Sequence, residues 1–299
     1  MDILPVLLNA GVTVFAVSSM LAIGFQYKLR DVLAPLSDIP GVITAVVANF
    51  VLVPLLAIGI LQFIPLDRPA ATGMVIVATA AGAPMVIKLA TNAGENAAFA
   101  AAVLVILLIV TIAFMPLVVP LLAEEGTQVD AWAIARPLVL TMLLPMVAGF
   151  VIKTYLPGLV NQLQPYLPIV INASLVVMVA LVLYLNFGSV VGVFGTGAIS
   201  AALLLLAGAF LIGYLLGTFD RSERTVLGFA TAQRNFAAAN VVAIQSFTDS
   251  GVLVMTVVIS IAALLLIPLS IAFGKRTVKD IHAGALKNTA RQTGKSPTS

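Results

Sequence analysis

Apolar runs of about twenty residues follow one another along almost the whole chain, separated by short polar punctuation. A run of that length crosses the roughly 30 Å hydrocarbon core of a bilayer as a helix. The pattern therefore predicts about nine spans, near residues 3–25, 41–64, 69–92, 95–122, 133–155, 168–187, 193–217, 224–247 and 251–274. Turn chemistry marks several boundaries: Ser37 to Gly41, Pro65 to Pro69, Ala93 to Glu95, Pro157-Gly158 and Phe247 to Gly251. The expected fold class is an all-α membrane protein.

Composition agrees. The 299 residues are 61% hydrophobic and 9% charged, against about 25% charged in soluble domains, which leaves no room for a separate soluble domain. The first run could be mistaken for a signal peptide. No positive charge precedes it and its apolar stretch is too long, so it reads as a retained helix with its amino end outside. The absence of cysteine excludes disulfides, thiolate metal sites and cysteine nucleophiles.

Lys and Arg set orientation through the short loops. With the amino end outside, the cytoplasmic connections carry Lys28, Arg30, Lys153, Arg221 and Arg224, and the tail adds Lys275, Arg276, Lys279, Lys287, Arg291 and Lys295. Outside connections carry Asp67, Arg68, Glu124, Glu125, Asp130, Arg136 and Asp249. This predicts an odd number of spans and a cytoplasmic carboxyl end, in a bacterial plasma membrane or an organellar inner membrane. Residues 275–299 read as a basic, disordered tail resting on anionic lipid. The lone histidine, His282, lies there and is assigned no role.

The same charge map isolates two residues. All twelve acidic side chains fall in predicted loops, at span ends or in the tail, as do thirteen of the fifteen basic ones. The exceptions are Lys88 and Arg234, and no carboxylate inside the membrane neutralises either. A cation in the hydrocarbon costs roughly 2.5–3.5 kcal/mol on insertion scales and marks a functional site by default. Lys88 can instead snorkel to the cytoplasmic interface, and Arg234 can be a structural residue tied to carbonyls. Both sit where helices are easiest to break, Lys88 after Ala80-Ala81-Gly82-Ala83-Pro84 and Arg234 within Gln233-Arg234-Asn235. Paired interrupted segments point to the binding site of a secondary transporter.

On these stretches the chain resembles bile acid:sodium symporters, a family within the superfamily of bile acid, arsenite and riboflavin transporters. The resemblance rests on Gly24 to Asp31, the run Ala48-Asn49-Phe50-Val51-Leu52-Val53-Pro54, the segment Gly82 to Gly94, and Arg224-Thr225 through Gln233. It implies inverted repeats and two domains, with discontinuous helices crossing in the second. Panel helices would come from about 3–40 and 133–192, core helices from about 41–122 and 193–274, within one unit over 1–274. The family's sodium ligands match poorly. Its Ser-Asn pair falls at Val86-Ile87, its hydroxyl ligands near Leu104 to Leu108, and its shared glutamate at Phe229. A glutamine survives at Gln233, an amide at Asn49 replaces a glutamine, and the family's next asparagine is Arg234.

The functional expectation is a secondary transporter of a small organic anion, carboxylate-type, working by alternating access. Lys88 and Arg234 would stand in for the sodium ions and make it sodium-independent, or Lys88 would couple protons. Gln233, Asn235, Asn49 and Thr91 would shape the polar lining. A sodium-coupled symporter with rearranged sites and an anion channel are the alternatives, and a ligand sensor is a further class. An enzyme is not expected, because the membrane interior holds no His, Cys, Asp or Glu. The expected partners are the anion and the lipid bilayer, with no nucleic acid. No cofactor or metal is called for.

Overall fold

The computed structural model describes residues 3–27, 39–122, 130–217 and 221–276. The loop with Lys28 and Arg30, the acidic pair Glu124-Glu125 and the tail from 277 onward, including His282, lie outside the described residues.

The described chain is helical. Seven uninterrupted helices are long and apolar enough to cross a membrane. They are α1 (Ile3–Gln26), α2 (Ile39–Phe63), α5 (Ala97–Leu122), α6 (Ala131–Tyr155), α7 (Leu167–Leu185), α8 (Ala198–Leu216) and α11 (Ser250–Arg276). The two remaining predicted spans are each divided in two. The first becomes α3 (Arg68–Thr79) and α4 (Met85–Asn92), the second α9 (Arg221–Ala232) and α10 (Phe236–Ser246). Short helices also occupy Pro157–Leu163 and Phe187–Gly192. The helix predicted from 193 begins at Ala198, because Gly195 and Gly197 take positive φ and turn the chain first.

Local chemistry explains the starts and stops. Asp67, Asp130 and Asp249 each accept from a backbone N–H at the start of α3, α6 and α11, as N-cap carboxylates do. The break after α3 turns through Gly82 at φ +80°, where a Cβ would stand 2.5 Å from Leu108 N. Only glycine fits that close approach to α5.

Helix α2 carries a π turn at Ala48–Leu52. Its cause is readable at Pro54. Val53 N–H reaches back five residues to Ala48 O, and Pro54 has no N–H to offer the next carbonyl. The Asn49 carbonyl is left without a partner in its own helix. A second π turn, Val139–Leu143, stands in the same relation to Pro145.

Packing follows small residues and apolar faces. Helix α1 lies against α6 and α7. Gly24 and Gly149 bring the α1 and α6 backbones so close that a Cβ on Gly24 would meet Met146 O at 2.5 Å. Helix α8 packs on α9 and α2, and α11 on α3. Helix α10 reaches across to α1 and the start of α6 while also packing on α11 and α3.

Candidate functional site at the crossing of two interrupted helices

The two interruptions meet, and their backbone groups are the first thing to account for. A helix end leaves its last carbonyls and first N–H groups unpaired, and burial makes each of them costly. The break between α3 and α4 presents carbonyls. That between α9 and α10 presents donors. Asn235 N–H donates to Ala80 O at 2.9 Å, and its side-chain Nδ2 donates to Gly82 O at 3.0 Å. The same side chain caps α10, its Oδ1 accepting from Ala238 N–H.

Arg234 completes the join. Its side chain is fully buried, and all five guanidinium N–H groups have oxygen acceptors. Nε donates to Val77 O at 3.2 Å. One terminal nitrogen, Nη1, donates to Asn49 Oδ1 at 2.7 Å and Thr231 O at 3.1 Å. The other, Nη2, donates to Ala78 O at 2.6 Å and Asn49 O at 3.4 Å. Val77 and Ala78 lie in the last turn of α3, and Thr231 in the last turn of α9. The charge thus sits at the negative ends of two helix dipoles. The Asn49 carbonyl in the set is the one that Pro54 released. A planar fork with five donors suits such a cage in a way that an ammonium with three does not.

Asn49 is held as firmly as the arginine it receives. It is fully buried, and its Nδ2 donates to Ala45 O and to Thr231 Oγ1. Behind the first break, the Thr111 hydroxyl on α5 accepts from Ala81 N–H and donates to Ala81 O, both at 2.9 Å. Nothing in the sequence marked Thr111, a single hydroxyl in an apolar run.

The positions of the missing sodium ligands are hydrocarbon in space as well as in sequence. Phe229 is fully buried and edge-on to Phe210 and Phe273, with centroids 5.1 and 5.9 Å apart. Val86 and Leu104 to Leu108 belong to the buried core.

Beside the crossing lies a cavity of about 190 Å³. Its wall contains the amino-terminal starts of both second half-helices, Ala83 to Met85 and Asn235 to Ala237, with Gln233 and Arg234 between them. Phe15 and Ser19 of α1, Leu175 of α7 and Leu264 of α11 close the other sides. No acidic side chain is among the lining residues. Helix amino ends carry positive potential, and so does Arg234. The electrostatics of the wall therefore have one sign.

Lys88 and Thr91 are not part of this arrangement. Both are exposed on α4, neither lines the cavity, and the Thr91 hydroxyl donates to Ile87 O in its own helix. Lys88 lies four residues from the end of α4, about 6 Å along the axis, within reach of an interface for a long side chain. Asn49 lies behind the cavity wall, in the arginine cage.

Apolar helices of spanning length, two of whose neighbours are interrupted and crossed, define an integral membrane protein with a transporter-like crossing at its centre. Residues 13–193 match the Sodium Bile acid symporter family, more than half of the chain, and the protein belongs to that family. It is 25% identical over 236 residues to the probable sodium/metabolite cotransporter BASS3, chloroplastic, of Arabidopsis thaliana, covering 77% of this chain and 55% of that protein. It is 25% identical over 210 residues to the uncharacterized sodium-dependent transporter YocS of Bacillus subtilis, covering 70% and 64%. For the probable sodium/metabolite cotransporter BASS1, chloroplastic, of Arabidopsis thaliana, the identity is 24% over 233 residues, covering 77% and 58%. The chain thus spans between half and two thirds of the length of these relatives. Their names describe transporters rather than enzymes.

Proposed function

We propose that this protein is a secondary transporter of a small organic anion of carboxylate type, working by alternating access without a sodium ion. One observation carries this reading, the polarity of the crossing. Carboxyl-terminal ends of α3 and α9 hold a fixed guanidinium, while amino-terminal ends of α4 and α10 face a cavity with no acidic lining. Carbonyls that would bind a cation are already engaged by one. The surfaces left facing the cavity favour an anion.

In this reading Arg234 carries the ion substitution by itself, since Lys88 lies exposed on α4. The panel would comprise α6 and α7, both packed on α1, together with α1 itself, and the core the crossing helices with α2, α5, α8 and α11. The amino end would lie outside and the carboxyl end in the cytoplasm, in a bacterial or organellar membrane.

The relatives' names favour a second reading, a sodium-coupled symporter with relocated ion sites. Uptake of a labelled short monocarboxylate into proteoliposomes separates the two. The rate is expected to saturate with concentration and to be the same under an inward sodium or potassium gradient. Accumulation driven by sodium alone would establish the coupled reading, and non-saturating flux would establish a channel. A further arm uses Arg234→Asn, which opens the oxygen cage. Sodium, but not potassium, is expected to raise the unfolding temperature of that variant and to leave the wild type unmoved.

A further inference from the structure

Among the described residues every fully enclosed side-chain nitrogen and oxygen has a hydrogen-bond partner. Three polar side chains on the cavity wall have none, the Gln233 carboxamide, the Ser19 hydroxyl and the Asn172 carboxamide, and of these Asn172 is exposed while the other two are buried. Gln233 is only 7% exposed and Ser19 only 5%, so what little of them is open faces the cavity. Burying a primary amide without partners costs on the order of 1–3 kcal/mol, and a bound solute removes that cost. The neighbours explain why Gln233 is unengaged. Arg234 takes the Thr231 carbonyl, both Asn49 oxygens and the end of α3, and Asn235 takes Ala80 and Gly82. Nothing in the join remains for a third side chain.

We propose that Gln233 is the specificity-determining residue of the cavity, its Nε2–H donating to the polar head of the solute. Ser19 Oγ–H adds a second donor from α1. Phe15, Met85, Leu175, Phe236 and Leu264 receive an apolar body. Arg234, Asn235, Asn240 and Ser260 on the same wall are engaged in the protein's own hydrogen bonds, and most of the rest is hydrocarbon, so this short set of donors reads one polar head. A second charge on the solute would be buried against carbon, so the fit is to a singly charged solute. The cavity is smaller than the roughly 300–1,000 Å³ of pockets for drug-sized ligands, which favours a short body.

This inference rests on the anion reading above, and its test is built to fail separately. Purified protein in nanodiscs is titrated with butyrate, isovalerate and hexanoate, each paired with its primary amide, and binding is read by thermal shift. Wild type is expected to prefer each carboxylate to its amide. Gln233→Met keeps the chain length without the amide and is expected to weaken carboxylate binding about tenfold, with a smaller loss for the amide, whose neutral carbonyl is the weaker acceptor. Gln233→Glu presents only acceptors and is expected to reverse the preference, because it repels a carboxylate and receives an amide N–H. Ser19→Ala is expected to give a smaller loss in the same direction.

An unchanged carboxylate-to-amide ratio in Gln233→Met overturns the role of Gln233. So does a wild type that binds none of the pairs or prefers the amides. Counterflow in proteoliposomes reports on transport alone. Its absence with the binding preference intact would overturn the transport reading and leave Gln233 in place.

Discussion

The two helix interruptions solve one problem by opposite means. Between α3 and α4 the five residues 80–84 contribute backbone, and they can do so because Gly82 takes a positive φ and presses on α5. Their carbonyls, with those ending α3, are the acceptors. Between α9 and α10, Arg234 and Asn235 of the three residues 233–235 supply the donors, a guanidinium, a side-chain amide and one backbone N–H. Neither break could be buried alone, since each would strand groups of one kind. The difference teaches that the crossing is a single mixed structure, with steric sensitivity on one side and chemical sensitivity on the other.

That contrast can be broken hardest at the donor side. Arg234→Ala strands the carbonyls of Val77, Ala78, Thr231 and Asn49 in one buried spot, and loss of about 3–5 kcal/mol is expected, the scale for removing one member of a buried charged network. Thermal unfolding in detergent would show it as a large drop in midpoint or as loss of monodisperse protein. A midpoint matching wild type would mean that the guanidinium does not hold the crossing. At the acceptor side, Gly82→Ala places a Cβ 2.5 Å from Leu108 N and forces a positive φ on a residue with a side chain. The conformational part alone costs about 1–2 kcal/mol, and displacement of α5 adds to it. Retained stability there would show that the break can shift without consequence. Lys88→Ala marks the low end. The side chain is exposed and outside the cavity, so stability should change by less than about 0.5 kcal/mol, with binding of the carboxylates unaltered. A loss of binding comparable to that of Gln233→Met would bring Lys88 back into the site.

Much of this arrangement was legible in the chain. Apolar runs located the helices, and Gly82-Ala83-Pro84 and Gln233-Arg234-Asn235 marked the stretches where two of them divide. Arg234 stood out because a charge is conspicuous among alanines and valines, and Asn49 because the family resemblance set it apart from the other asparagines. The separation of Lys88 from Arg234 was not legible. An eight-residue helix after a break has no fixed phase with the helix before it, so the face that Lys88 occupies depends on the turn through Gly82. Thr111, a single hydroxyl in an apolar run, and Ser19, one of the adjacent pair Ser18-Ser19, were equally silent, because what each does depends on what packs against it. The π turn could have been suspected from Pro54, but that its freed carbonyl meets an arginine 185 residues away is a matter of tertiary structure.

The arginine cage has a mechanical consequence. One guanidinium is bolted to α2, the end of α3 and the end of α9, and no donor is spare to re-pair while another lets go. A joint with no slack transmits displacement and does not absorb it. Local unwinding at the crossing is thereby disfavoured, and a displacement of any one of those three segments is passed to the other two.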